Sequence, residues 1–417
     1  MTLLAAWYDI RDLSNAVTHL LEWVGDWGPS WLVYVLSAVI GGAAIFGFAA
    51  AGALINSWIE RRAIGRFQAR LGPNRVGPFG LLQPFADVLK LMLKEPLFPR
   101  LLERWLFVLA PIVVFIPAVM VFGVFPFGPG MTFVDLNVGV VYVLAISSLG
   151  VIAVFMAGWS SANKFSLISA MRVVAMLVSY EVPMVLALLG VVVFAGTMSL
   201  SGIVVWQQQY HVWIIVLQPL AAAIYLIAGT TELNRTPTDI AEAESELVAG
   251  YHTEYSGMRF ALFYAVELVN ALAVSAVAAS LFLGGWWLFG LDRWLPGWLI
   301  FIGKVYAVYG LLIWLRGTLP RLRIDQLLAF AWKFLLPLAM ANVIVTAFEV
   351  VIWVEYDLSA GVVLPLFAIV NVALAAVLIG GWAKLMSYRF ERLPKRALLV
   401  HDIAVPATST PMSTEQV

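Results

Sequence analysis

Cysteine is absent from all 417 residues. Disulfides, thiolate metal ligands and cysteine-held iron–sulfur clusters are therefore excluded from this chain. Histidine is scarce, and His19, His211, His252 and His401 are scattered without metal-ligand spacing. No glycine-rich phosphate loop follows a strand-like run, and no nucleophile elbow occurs. The chain thus binds no metal, nucleotide or other cofactor by a recognisable motif. The N-terminus lacks a basic region ahead of a short apolar run, so no cleaved signal peptide is expected. Charge is also sparse: charged residues make up 12% of the chain against 62% hydrophobic, with a formal net charge of zero. That balance does not suit a soluble enzyme.

Apolar length takes the place of charge. Runs of about 20 apolar residues cross the hydrocarbon core of a bilayer as helix. The sequence predicts such spans near 31–58, 105–127, 138–158, 170–195, 213–233, 258–283, 297–315, 333–354 and 361–386. The expected fold is all-α: a polytopic integral membrane protein of about nine transmembrane helices in one domain, 31–390. Residues 1–30 are expected as an N-terminal segment on the periplasmic side, and 391–417 as a cytoplasmic, largely disordered tail.

Alternating these spans puts the 60–104, 159–169, 234–257 and 316–332 loops on one side with the C-terminus. With the adjoining helix ends, that side carries every one of the 25 lysines and arginines except Arg11, Arg293 and Lys304. The positive-inside rule makes it cytoplasmic and the N-terminus external. Within the first loop, GPNRVGP (72–78) is a turn-rich break. Beyond it Phe79, Leu82, Phe85, Leu89, Met92 and Leu93 recur at helical spacing, while Asp87, Lys90 and Lys94 share another face. This predicts an amphipathic helix in the membrane interface. On the opposite side Trp286, Trp287, Trp294 and Trp298 suggest an aromatic belt.

Against this background TDIAEAESELVAGYHTEY (238–255) stands out, with Asp239, Glu242, Glu244, Glu246 and Glu254 and no basic residue. Capping explains part of it, because acids in a first helical turn complement the backbone dipole. Capping does not explain Glu246, one turn beyond Glu242, nor the acids in the apolar runs. Glu181 and Glu267 fall within spans, Glu232 closes one and Glu254 opens another. An ionised side chain at mid-membrane costs about 2.5–3.5 kcal/mol and is usually paired or functional. Carboxylates that are desolvated or close together hold protons near neutral pH and titrate as a group. Two readings stay open from the residues alone: distant ion pairs within the bundle, or a set of groups that stores and passes protons.

Four stretches then carry a resemblance: ERRAIGRFQARLGPNRVGPFGLLQPFADVLKLMLKE (60–95), AGWSSANKFSLISAMR followed by SYEVPM, TELNRTPTDIAEAESELVAGYHTEYSGMRFALF, and RGTLPRLRIDQLL. In this order they resemble the H subunit of bacterial NADH:quinone oxidoreductase, respiratory complex I, over roughly residues 45–350. The resemblance implies a multi-pass subunit of the bacterial inner membrane that joins a soluble electron-transfer arm to a proton-pumping arm. By matching motif positions, Glu60, Arg61, Gln68, Arg70, Asp87, Arg235 and Asp239 would shape a quinone cavity. Glu181, Glu232, Glu242, Glu244, Glu254 and Glu267 would form a carboxylate funnel that couples quinone reduction to proton translocation. Quinone would be the substrate. NADH, flavin and iron–sulfur clusters would reside in partner subunits, with no redox centre and no metal in this chain. Thr238, Met176 and Leu268 depart from the family pattern, which more often has Phe, Gln and an aromatic residue there; the carboxylates are intact.

The alternatives are a homologous subunit of a membrane-bound hydrogenase or related dehydrogenase, a stand-alone proton-coupled transporter, and a passive membrane anchor. A transporter is expected to show internal repeats, which the sequence lacks. An anchor has no need of carboxylates at mid-membrane.

Overall fold

Lipid offers the backbone no hydrogen-bond partner, so each apolar crossing must satisfy its own N–H and C=O groups as helix. The computed structural model of the chain describes residues 30–240, 248–290, 294–357 and 359–392, and among these there are helices and no strand. The first 29 residues, the acidic stretch 241–247 and the tail from 393 lie outside the described residues. The chain divides into two compact units, Met1–Val372 and Ala373–Val417, and every side-chain contact below belongs to the first.

Helix α1 spans Ser30–Phe67 and α2 spans Gln83–Leu93. Helix α3 (Arg104–Met120) runs on through a 3-10 turn at Val121–Val124. Helices α4 (Gly139–Ser147) and α5 (Leu149–Ser160) form one crossing, followed by α6 (Lys164–Ala195) and α7 (Leu200–Tyr210). A short α8 (Ile214–Leu217) precedes α9 (Pro219–Glu232), then come α10 (Gly257–Phe282) and α11 (Gly297–Thr318). Helix α12 (Ile324–Phe330) continues through a π-helical turn, Ala331–Leu335, into α13 (Leu336–Glu355), and α14 spans Ala360–Arg392.

Eight helical stretches among the described residues are long and apolar enough to cross a membrane. The expected ninth, 213–233, is broken instead. Pro219 has no N–H to donate and fixes its own φ, so a four-residue turn ends at Leu217 and a separate 14-residue helix starts at Pro219. Gln218, in the break, has φ −130 and ψ 64. Helix also extends beyond the expected spans: α1 continues to Phe67, α6 starts at Lys164, and α12 and the π turn occupy much of the expected 316–332 loop.

Helices α6 and α10 form the buried centre. Helix α6 packs against α5, α9 and α13, and α10 packs against α1, α3 and α11. The α4–α5 crossing bends at Ser148, where the Ser147 and Ser148 hydroxyls donate to the carbonyls of Leu144 (3.0 Å) and Ala145 (2.9 Å). Such back-bonding competes with the helical ladder and bends it. Helix α6 ends at Gly196, whose φ of 67 is a left-handed cap that glycine adopts without strain.

The amphipathic helix appears as α2, with Phe85, Leu89, Met92 and Leu93 exposed, but it starts later than its apolar pattern: Phe79 lies in the 3-10 turn Pro78–Gly80 and Leu82 at the N-cap. The aromatic belt is corrected in part. Trp294 is exposed, but Trp286 and Trp287 are buried with Val204 and Trp213 around the turn after α10. Lys304 draws that turn inward, donating to the carbonyls of Leu283 (2.6 Å), Gly285 (2.9 Å) and Trp287 (2.5 Å).

Candidate functional site

The central site follows from the positions of three acids on three helices. Glu181 sits midway along α6, Glu232 ends α9, and Glu267 lies in the first half of α10. All three line one cavity, together with Ser147, Asn234, Tyr251 and Asn270. An adjoining cavity shares Ser147, Glu232 and Asn270 and continues between α3, α4, α6, α9 and α10. The bend at Ser148 places Ser147 beside Glu232 on the wall of both cavities. Glu181 and Glu232 are close enough to act on each other electrostatically. Neither forms an ion pair among the described residues. Two coupled carboxylates with no cation partner among the described residues thus share, with Glu267, a space large enough for water.

A different arrangement surrounds Glu60. This residue is on α1, 3% exposed, and its carboxylate meets the Arg235 guanidinium at 2.5 Å and that of Arg316. The Tyr309 hydroxyl donates to the other oxygen at 3.3 Å. Arg235, Arg316 and Tyr309 line a small neighbouring crevice with Leu233. Leu233 and Asn234 also line the carboxylate cavity, so the short segment from Glu232 to Arg235 passes from one site to the other. Thr238 fixes that turn: its hydroxyl donates to the Arg235 carbonyl at 2.8 Å.

The remaining expected site residues lie at the periphery. Arg61 pairs with Asp87 at 2.6 Å across the α1–α2 angle, and Gln83 also donates to Asp87. Burial alone would push the Asp87 carboxyl up, but hydrogen bonds from Arg61 and Gln83 and the charges of Arg61 and Lys90 outweigh it and hold it below its usual value. Gln68 accepts from Arg70 at 2.6 Å in the exposed turn after α1. Asp239 is held by Arg321, which reaches its carboxylate at 3.8 Å and donates to its backbone oxygen.

Glu254 is not part of the central cavity. It accepts from Asn163 at 2.7 Å, and the Asn163 side chain caps α6 by accepting from the Phe165 amide. That gives Glu254 a fastening position beside Arg100 and Lys164. Glu242 and Glu244 fall in 241–247, outside the described residues. Next to the cavity wall, burial depresses the pKa of His252 to about 4.

Sequence reasoning missed Arg316 and Tyr309 as partners of Glu60, and Ser147 beside Glu232 in the cavity wall. Arg316 reads in the sequence as one more positive-inside charge. The serine pair at 147–148 in an otherwise apolar span is the one readable signal.

Comparison with known proteins agrees with this architecture. A family described as NADH dehydrogenase matches residues 40–347. The H subunit of NADH-quinone oxidoreductase from Dehalococcoides mccartyi (strain CBDB1) is 52% identical over 324 residues, covering 77% of this chain and 88% of that one. Its counterpart from Carboxydothermus hydrogenoformans is 49% identical over 319 residues, covering 75% and 88%. That of Geobacillus kaustophilus is 48% identical over 328 residues, covering 78% and 96%. With eight helices among the described residues long and apolar enough to cross a membrane, the chain belongs to the NADH dehydrogenase family as a multi-pass membrane subunit of NADH-quinone oxidoreductase.

Proposed function

We propose that this chain contributes to the quinone-binding cavity of the complex and couples quinone reduction to proton translocation through the Glu181–Glu232–Glu267 cavity. The observation that carries this reading is the convergence of three acids from α6, α9 and α10 on one cavity, one covalent segment away from the Glu60–Arg235–Arg316 cluster. Reduction of a quinone to quinol takes two electrons and two protons. A quinone headgroup held near the Arg235 end would therefore raise negative charge beside a set of carboxylates able to answer by moving protons. The guanidiniums of Arg235 and Arg316 give that end positive charge, and Glu60 holds them in place. Arg61 with Asp87, Gln68 with Arg70, and Asp239 with Arg321 form the rim against which a soluble partner would dock.

Electron transfer belongs to partner subunits carrying flavin and iron–sulfur clusters, with NADH as donor; the membrane partners are the proton-pumping subunits. Glu242 and Glu244 are assigned to the proton path by the resemblance alone, and Glu254 to its support. The charge distribution supports an orientation with the basic loops and C-terminus in the cytoplasm and the N-terminus outside, and the resemblance implies the bacterial inner membrane.

The test is Glu181→Gln in the complete complex in membrane vesicles, with NADH-driven quinone reduction and internal acidification followed together. Removing a positioned proton carrier is expected to lower acidification at least about tenfold. Unchanged acidification in an assembled Glu181→Gln complex overturns the funnel.

A further inference from the structure

A second buried polar site lies between α6, α9, α13 and α14, away from the carboxylate cavity. Asn342, Thr346 and Glu349 recur on one face of α13 and extend about 10 Å along it at a rise of 1.5 Å per residue. Gln218, in the break before α9, donates to the Thr346 hydroxyl at 3.1 Å and to the Gly190 carbonyl of α6 at 3.2 Å. Asn371, on α14, donates to Glu349 at 2.9 Å. All five side chains are buried, none more than 5% exposed. Gly190 makes the approach possible, because a Cβ there would stand 3.1 Å from the Asn342 amide nitrogen and 3.2 Å from the Gln218 side-chain oxygen.

Polar residues between membrane helices often serve only to hold them together by hydrogen bonds. That role accounts for the Gln218–Thr346 and Asn371–Glu349 pairs. It leaves an excess of acceptors. Among the described residues, Oε1 of Gln218, Oδ1 of Asn342, Oδ1 of Asn371 and Oε1 of Glu349 have no hydrogen-bond partner, nor does Nδ2 of Asn342. Buried polar atoms far from a protein partner are ordinarily satisfied by water. A carboxylate buried without a cation is costly in a membrane, whereas the neutral acid supplies a donor of its own.

The charged and titratable groups on the helices packed against α13 do not neutralise Glu349. They are Lys164, Arg172, Tyr180 and Glu181 on α6, Tyr225 and Glu232 on α9, and Lys333 in the π turn; Tyr210 reaches Trp353 from α7. Tyr180 and Tyr225 donate to the carbonyls of Leu327 and Val274, and Glu181 and Glu232 face the carboxylate cavity. Glu355 ends α13 itself, and residues 360–372 of α14 carry no charge. None of these groups forms an ion pair with Glu349 among the described residues.

We propose that Glu349, with Asn371, Asn342, Thr346 and Gln218, forms a second, hydrated proton-binding site in the half of the membrane reached by the C-terminal end of α13. Its ligand is a proton carried on water. Glu349 and Asn371 lie beyond the 40–347 segment that matches the family, whereas Gln218, Asn342 and Thr346 lie within it. The site does not depend on the Glu181 cavity, and its test is independent of that one.

The experiment is infrared spectroscopy of the complete complex in membranes, as wild type, Glu349→Gln and Glu349→Asp, each with and without sodium chloride. The carbonyl stretch of a protonated, buried carboxylic acid is expected in the wild type, lost in Glu349→Gln and shifted in Glu349→Asp, independently of sodium. Glu349→Asp keeps the test open if the amide variant does not assemble, because aspartate retains the acid. A spectrum with no such band assignable to residue 349 overturns the proposal. A band that sodium abolishes also overturns it, by showing a metal cation in place of the proton.

Discussion

Glu60 and Glu181 are both glutamates on long helices within the bundle, and their surroundings are opposite. Glu60 is gripped by Arg235, Arg316 and Tyr309. Glu181 shares a cavity with two more carboxylates and has no ion pair among the described residues. The first arrangement fixes one charge state and joins α1 to α11 and to the segment after α9. The second leaves the charge state free to change. An acid inside a membrane protein therefore cannot be assigned a role from its depth alone; the neighbours decide it.

Breaking the fixed pair gives the largest expected effect. Glu60→Ala leaves two guanidiniums in a buried site without their anion, and breaking such a pair by removing one partner costs about 3–5 kcal/mol. Thermal unfolding of the purified complex checks this, with loss of assembled complex as the extreme outcome. Acidification gives the next effect, at His252, which lies outside the spans beside the cavity wall. Its pKa falls from 6.5 to about 4 on burial, so the folded state binds its proton more weakly than the unfolded state. The stability it contributes is complete above pH 6.5 and is lost as pH falls toward 4, in total about 3 kcal/mol at 1.36 kcal/mol per unit. Amide hydrogen exchange in residues 248–256 is expected to quicken across that window, and His252→Gln is expected to flatten the response. The smallest effect belongs to the rim. Arg61 and Asp87 are partly exposed, and Arg61→Ala is expected to change stability by only about 0.2–1 kcal/mol. Quinone-reduction kinetics of the same variant separate a docking role from a stabilising one.

Most of the fold is legible because membrane spans are written in apolar length, and the interfacial helix because its apolar residues recur at helical spacing. The break at Gln218–Pro219 is signalled by the proline but hidden by the apolar run on both sides of it. Trp286 and Trp287 mislead because an aromatic pair in a turn reads the same whether it faces lipid or is drawn inward; Lys304, a helix away, decides that. For the site, Glu181, Glu232 and Glu267 are legible as costly acids in apolar runs. The Glu60 cluster is not, because its members come from three separate parts of the chain and each arginine alone looks like an ordinary cytoplasmic charge. Glu349 escapes notice although it too is an acid within a span, because it stands outside the four segments that carry the resemblance.

The most direct test of the central claim is a double-mutant cycle on proton translocation per NADH oxidised, using Glu181→Gln, Glu232→Gln and the pair together in the complete complex. If the cavity carboxylates act as one coupled group, either single substitution removes most of the translocation and the double variant loses little more. Losses that simply add would contradict the account, because they would mean that Glu181 and Glu232 act independently.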